Sequence, residues 1–413
     1  MKQPSPLIKF VTCLPLMIFL AAMMSSPIFA GGKDCSDPKW ADNPSCSGTD
    51  PEPDPDDPCA NFAEPDYVFW RDSTSKRVPA VTVFLAESAT GCEKELLRID
   101  LSDSGPINVL DLAYSSVGTG DSFFGRIVYA REEWLDSSQG PSVWKYDFGI
   151  SGGQIQPAGD PAIPVMVLEN TDPENQDGSG LDLSADTGSL VWRLIDQVSE
   201  DLLKISIRTV DIDSCENWPC GNIDGGQRLV GYDYHVPYPS PPTGTYLQNP
   251  IWGPFGDRIY FVAKEYQPDS QSHYVMAIAS DGSNLEATKI FGIEDQTPGD
   301  PSYRFIRSVA SGLSGWPNPG EYLAVEIGED NWVYSCADIY TLDVAACEEN
   351  PDTNCELQYE LGGSFMSWTR TGSIVLSGLG GACKFNQIGI WDGVDVNILT
   401  KGYEPEAAGS WPY

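Results

Sequence analysis

Two side chains in this sequence titrate near neutral pH, His235 and His273. Both fall beside turns or strand ends, and both read as surface or structural residues rather than catalysts. Ser311-Gly312-Leu313-Ser314-Gly315 misses the spacing of a G-x-S-x-G nucleophile elbow, and no α/β-hydrolase pattern follows it. G-x-G-x-x-G and P-loop signatures are absent. The 60 Asp and Glu residues are too many for an acid/base pair to be singled out. Asn170 to Asp182, NTDPENQDGSGLD, approaches a calcium loop. Counting back from Gly178 puts Pro173 where the first Asp belongs, and no Glu closes the loop, so it reads as an acidic surface loop. With no C-x-x-C pair and two histidines, zinc is disfavoured as well. The expected set of catalytic, cofactor-binding and metal-binding residues is therefore none.

Cysteine and tryptophan carry more information. Cys35, Cys46, Cys59, Cys92, Cys215, Cys220, Cys336, Cys347, Cys355 and Cys383 follow the leader described below, an even number that suggests disulfides. Cys347 and Cys355 flank an expected hairpin, and Cys215 and Cys220 flank a four-residue loop. Cys336 and Cys347 would stand at opposite ends of one strand, about 35 Å apart at about 3.3 Å per residue, too far to join. Cys336 is then left for Cys383, and Cys59 for Cys92. Cys35 and Cys46 are candidates for a small N-terminal loop. Trp192, Trp252, Trp368 and Trp411 take repeat or strand positions and read as packing residues. Trp134, Trp218, Trp316 and Trp332 fall in or near loops, where packing and a binding face are equally open readings.

The elements that must position these residues are short strands. Glycine and proline number 40 and 33, and no long 3.6-residue period is present, although Val198 to Ile207 allows a short helix. Asn249 to Gly292 is the clearest unit. An apolar run ends at Trp252, Gly253-Pro254-Phe255-Gly256 turns, and Arg258 to Lys264 is a strand. Tyr274 to Ala279 is another, Asp281-Gly282 makes a hairpin, and Thr288 to Phe291 opens a fourth strand. Looser copies recur, with second strands aligned at Val68, Ile127, Leu190, Ile259, Leu323 and Ile374. Their spacing of roughly 50 to 70 residues exceeds that of compact propeller repeats, and the surplus sits in loops.

This unit resembles the TolB-like, or PD40, relatives of the WD40 propellers. The family pattern P-x-W-S-P-D-G-x-x-I-x-F is met at Pro250, Trp252, Pro254, Gly256, Ile259 and Phe261. Tyr274-Val275-Met276 and Asp281-Gly282-Ser283-Asn284-Leu285 meet its second half, while Phe255 stands where Asp is usual. The resemblance implies an all-β propeller over residues 59–413, of six blades with four antiparallel strands each. Seven blades is the alternative, because strands can hide between Pro157 and Asp177. Glu406 to Trp411 is expected to complete the first blade and close the ring.

Ahead of the repeats, residues 1–30 read as a signal peptide. Lys2 and Lys9 precede the apolar run Phe10 to Met24, and Ala30 suits cleavage. Residues 31–58, with DPEPDPDDP at Asp50 to Pro58, read as a solvated Cys/Asp/Pro-rich tether. No later stretch suits a membrane span. Loss of the leader leaves 22 basic against 60 acidic residues, a surface that repels nucleic acid and anionic lipid. An exported, periplasmic or secreted propeller without a catalytic set is expected to bind a protein or cell-envelope component through its loop face. TolB itself carries an α/β domain ahead of its propeller, where this chain has the short tether. The other class kept open is a carbohydrate-active lyase or hydrolase with carboxylates around the propeller channel. A structural surface protein that assembles into arrays is a third.

Overall fold

The chain divides into residues 1–56 and 57–413. The computed structural model describes residues 59–407 apart from 60–61, 73–79, 101–106, 134–140, 159–162, 172–174, 178–179, 237–240, 285, 301, 315–319, 330–336, 350–354, 356, 370–371, 380–383 and 402. The leader, the tether and Cys35, Cys46, Cys336 and Cys383 lie outside the described residues, as do Trp134, Trp316, Trp332 and Trp411.

The strands fall into antiparallel units. In the first unit, β1 (Tyr67–Asp72), β2 (Ala80–Ala86) and β3 (Glu93–Asp100) pair in sequence. The second holds β4 (Ile107–Val117), β5 (Phe124–Glu133), β6 (Ser142–Ser151) and β7 (Gln154–Pro157), with β8 (Val165–Glu169) also on the edge of β6. In the third, the inner strand is interrupted, as β9 (Asn175–Asp177) and β10 (Asp182–Leu183). Both pair with β11 (Ser189–Ser199), followed by β12 (Leu202–Asp211), then by β13 (Gly221–Asn222) and β14 (Gln227–His235). Strand β13 leaves its own unit and lies parallel to β8.

The fourth unit is β15 (Thr243–Trp252), β16 (Arg258–Tyr266), β17 (Gln271–Ala279) and β18 (Thr288–Gln296). The fifth has β19 (Arg304–Ser314), β20 (Gly320–Glu329) and β21 (Ala337–Asp343), then the short helix α1 (Val344–Glu349). Strand β22 (Gln358–Trp368) serves two units: up to Gly363 it pairs with β21, and from Ser364 it pairs with β23 (Ile374–Leu379). β24 (Lys384–Trp391) and β25 (Val396–Lys401) complete the sixth. The last strand, β26 (Tyr403–Ala407), returns to pair antiparallel with β1 and gives the first unit its fourth strand.

Packing shows how the units are arranged. Each inner strand touches the next, in the order β26, β4, β10, β15, β19, β22 and back to β26. The buried apolar residues form six clusters, each spanning two successive units, and the sixth joins Val375 and Ile388 to Tyr67 and Phe69. A closed cycle of radial sheets is a β-propeller. It also explains why the second strands are continuous apolar runs rather than alternating ones. Along β11, Leu190, Trp192 and Leu194 pack against the second unit, while Val191 and Ile195 pack against the fourth. Both faces of the sheet are buried, so both sets of alternate side chains are apolar.

Several expectations need correction. Val198 to Ile207 is a hairpin between β11 and β12, not a helix, because Ile205 and Ile207 alternate into an inter-unit core. Five of the six aligned second-strand residues face the preceding unit, but Val68 faces the following one. Its true counterparts are Tyr67 and Phe69, which pack against the sixth unit. The closing strand is present and pairs with β1; it begins at Tyr403, three residues before the expected Glu406, and the rest of the expected stretch, 408–411, lies outside the described residues. The insert after Pro157 does hold strands, as the alternative allowed: among its described residues β8 pairs with β6 and β9 with β11. Cys347 sits in α1 and not at a strand end, although it does join Cys355; Cys59–Cys92 and Cys215–Cys220 are present too.

Candidate functional site

Hairpin turns between inner and second strands gather on one face. A cleft of about 310 Å³ opens there between the third and fourth units. Its walls are the turn from Ser184 to Ser189, the turn from Trp252 to Gly256, and Ser280 with Asp281. Local chemistry fixes each wall. Ser184 Oγ donates to Asp186 Oδ1 at 2.5 Å, and the Gly188 N–H donates to the same oxygen at 3.0 Å. Ser280 Oγ donates to the Gly256 carbonyl at 2.7 Å. Asp281 accepts the Ser283 N–H at 2.8 Å, and hydrogen bonds from Ser283 hold its carboxyl below the usual range. Gly282 takes the positive φ of 67° that the Asp-Gly turn requires.

Asp186 is exposed, and Phe255 stands 52% exposed at the cleft rim. Phe255 is the residue that departs from the Asp of the repeat pattern. Its aromatic ring therefore stands exposed where the pattern has a carboxylate. The cleft therefore combines an exposed ring, small hydroxyls and two carboxylates. That set can hold a polar or cationic segment beside an apolar side chain.

Behind the cleft, inner strands are locked to one another. Asp111 accepts the Leu181 N–H at 2.7 Å, and Asp182 accepts the Trp252 N–H at 2.6 Å. Ser115 Oγ donates to the Ser184 carbonyl at 2.9 Å, and Ser311 Oγ to the Trp252 carbonyl. Burial, opposed by the Trp252 and Leu183 amides and aided by the nearby Asp111 charge, pushes the Asp182 carboxyl up to about 7. Arg126 joins the second and third units. It meets Asp147 at 2.6 Å and Asp213 at 2.9 Å, and donates to the Thr187 carbonyl at 2.7 Å. Thr187 holds a φ of 66°, a conformation costly for a β-branched residue, inside this network.

The sequence candidates are dispersed. His235 is exposed at the end of β14. His273 lies within β17 rather than at an end, 2% exposed, with Nε2 3.3 Å from the Tyr303 hydroxyl. Burial first, and the Lys264 charge second, hold it neutral with a pKa near 3. Trp192, Trp252 and Trp368 are buried in inter-unit clusters, whereas Trp218 is 37% exposed with Lys145 over its ring. No group of three or more His, Cys, Asp or Glu suited to a metal occurs among the described residues, which cover only part of 170–182.

A second polar cluster lies at the other end of the same strands, where sequence reasoning placed nothing. Arg193, Lys264 and Arg307 come from β11, β16 and β19. Burial and the charges of Arg193 and Arg307 pull the Lys264 ammonium down to about 8. The only advance signal is the rarity of cations: 24 in the whole chain.

No family model and no curated protein matches the chain. Among solved structures, TolB from Acinetobacter baumannii aligns at 12% identity and a TM-score of 0.45, over 83% of this chain and 66% of that one. This chain thus spans just under two thirds of that TolB. An oligogalacturonate lyase in complex with manganese aligns at 12% identity and 0.41, over 82% and 78%. The GH93 alpha-L-arabinofuranosidase of Fusarium graminearum aligns at 12% and 0.42, over 72% and 83%. These are likenesses of fold at low identity and supply no site residue. Among the described residues no helix is long and apolar enough to cross a membrane.

Proposed function

We propose that this chain is a binding propeller, working outside the cytoplasm, that holds a protein or cell-envelope partner on the face carrying the cleft. The observation that carries the reading is Phe255: a large ring held 52% exposed at the rim of a cleft also lined by Asp186 and Asp281. Exposed aromatics framed by polar groups are the usual anchors of protein interfaces. The disulfides among the described residues, Cys59–Cys92, Cys215–Cys220 and Cys347–Cys355, support an oxidising compartment. A net charge of −36 favours a partner segment that is basic or neutral over an acidic one.

Phe255→Ala tests this directly. The parent protein is expected to recover a partner from an envelope extract, and the purified partner to bind the purified chain. Phe255→Ala should weaken that binding about tenfold or more, the range of an aromatic anchor, without moving the melting temperature. Equal binding by the two proteins refutes the use of this face. Turnover of a glycan, abolished by Asp281→Asn, would replace the binding reading with the carbohydrate-active one.

A further inference from the structure

Strand β25 forms the outer edge of the sixth unit. Among the described residues it pairs with β24 and with no other strand, so the backbone groups along its far side form an open edge. Its sequence is VNILTK. Val396 stands 40% exposed and Ile398 61%, two residues apart and so on one side of the strand. Leu399, where the register shifts, packs inward against the core shared with the first unit. The fold uses Leu399 and leaves Val396 and Ile398 in solvent.

Charge selects what covers this edge. The outer strands β3, β14 and β18, and the outer half of β22, each carry at least one Asp or Glu, and β7 is four residues long and ends in Pro157. Strand β25 carries no acid. Two copies of a chain of net charge −36 repel each other, and least where carboxylates are missing. The charges that flank the strand are also self-complementary. Asp395 precedes it in the turn from Asp392, and Lys401 ends it, each three residues from Ile398. Laying the strand antiparallel on a copy of itself, with Ile398 opposite Ile398, sets Val396 opposite Thr400 and Asp395 opposite Lys401, each pair twice. An isologous contact of this kind closes at two copies.

We propose that the protein forms a twofold dimer in which the β25 strands of two copies pair antiparallel about Ile398 and join their sixth units into one continuous sheet. The inference does not rest on the cleft or on the partner bound there. One strand pair buries less than the about 1,200 Å² of a standard stable interface, so the dimer exchanges with monomer, with a dissociation constant on the order of 100 µM.

The test is sedimentation equilibrium of the full chain from about 5 µM to about 500 µM, in salt of about 0.15 M to screen the repulsion between copies. Wild type should follow a monomer–dimer equilibrium. Ile398→Lys sets two lysines against each other at the axis and should raise the dissociation constant about tenfold or more. Its melting temperature should match wild type, because Ile398 is exposed. Asp395→Lys and Lys401→Asp should each weaken the dimer, and the two together should restore it, since the swap leaves every opposed pair unlike in sign. Wild type that stays monomeric throughout, or that assembles beyond two copies, overturns the proposal. So does a dimer untouched by Ile398→Lys, or a double swap that restores nothing. Should Ile398→Lys melt below wild type, the charge-swap variants decide alone.

Discussion

Asp182 and His273 set opposite pH dependences within one molecule. Asp182 has a folded pKa of about 7 against an ordinary 3.8, so the folded state holds its proton more tightly than the unfolded chain. Its contribution to stability is present in acid and is lost as pH rises from about 4 to 7. Asp182→Asn should flatten that fall, gaining on wild type by up to about 4 kcal/mol across the window at about 1.4 kcal/mol per pKa unit. His273 has a folded pKa near 3 against 6.5, so the unfolded chain takes up its proton first. Its contribution is complete above pH 6.5 and is lost as pH falls toward 3. His273→Gln should lower the pH at which acid unfolds the protein. Urea titrations of both variants at pH 5 and pH 8 measure the two effects separately. Single residues were the least legible part of this sequence. Asp182 was visible only as the end of a failed calcium register, and His273 as a strand-end residue. What decides their behaviour is burial against neighbouring units, 70 residues along the chain for Asp182 and Trp252 and 30 for His273 and Tyr303, which local pattern does not contain.

At the scale of elements, strands and turns were largely legible because each is fixed by local chemistry. The Asp281-Gly282 and Asp392-Gly393 turns carry positive φ at Gly282 and Gly393, as their residue types require. Two regularities could not be read in advance. In all six units the inner strand holds one residue more than its partner strand at the point where the register shifts. The bulge residues share no type, since Leu110, Arg307 and Phe365 are among them, so no sequence signal marks the position. Close approach between units is the other. A Cβ on Gly312 of β19 would stand 2.4 Å from the Trp368 side chain of the next unit. Gly312→Ala is therefore expected to destabilise by about 1–3 kcal/mol through overpacking. Gly91→Ala is the wrong control, since its φ is 70°; Gly221, whose Cβ meets nothing within 4 Å, is the right one, and its alanine variant should stay within about 0.5 kcal/mol. Chemical denaturation reports both.

For the whole molecule, the account rests on closure. Six inter-unit cores are each made of two neighbours, so no unit buries both faces alone, and stability is shared around the ring. The repeat arithmetic made the ring legible. The resemblance at Pro250, Trp252 and Asp281-Gly282 named its architecture, and the return of the tail was legible from the lack of a leading strand before Tyr67. The exact closing strand was not, because Tyr403–Ala407 is defined by pairing with β1 and not by an apolar period of its own. Loss of that strand would expose the edge of β1 and the core between the sixth and first units, where Tyr67, Phe69 and Val375 are fully buried. The most direct measurement is thermal unfolding of the chain cut after Lys401. Closure predicts a fall of many degrees or loss of a cooperative transition, since an open edge and an uncovered core are left behind. A truncated protein that melts at the temperature of the full chain, with the same cooperativity, would contradict the ring.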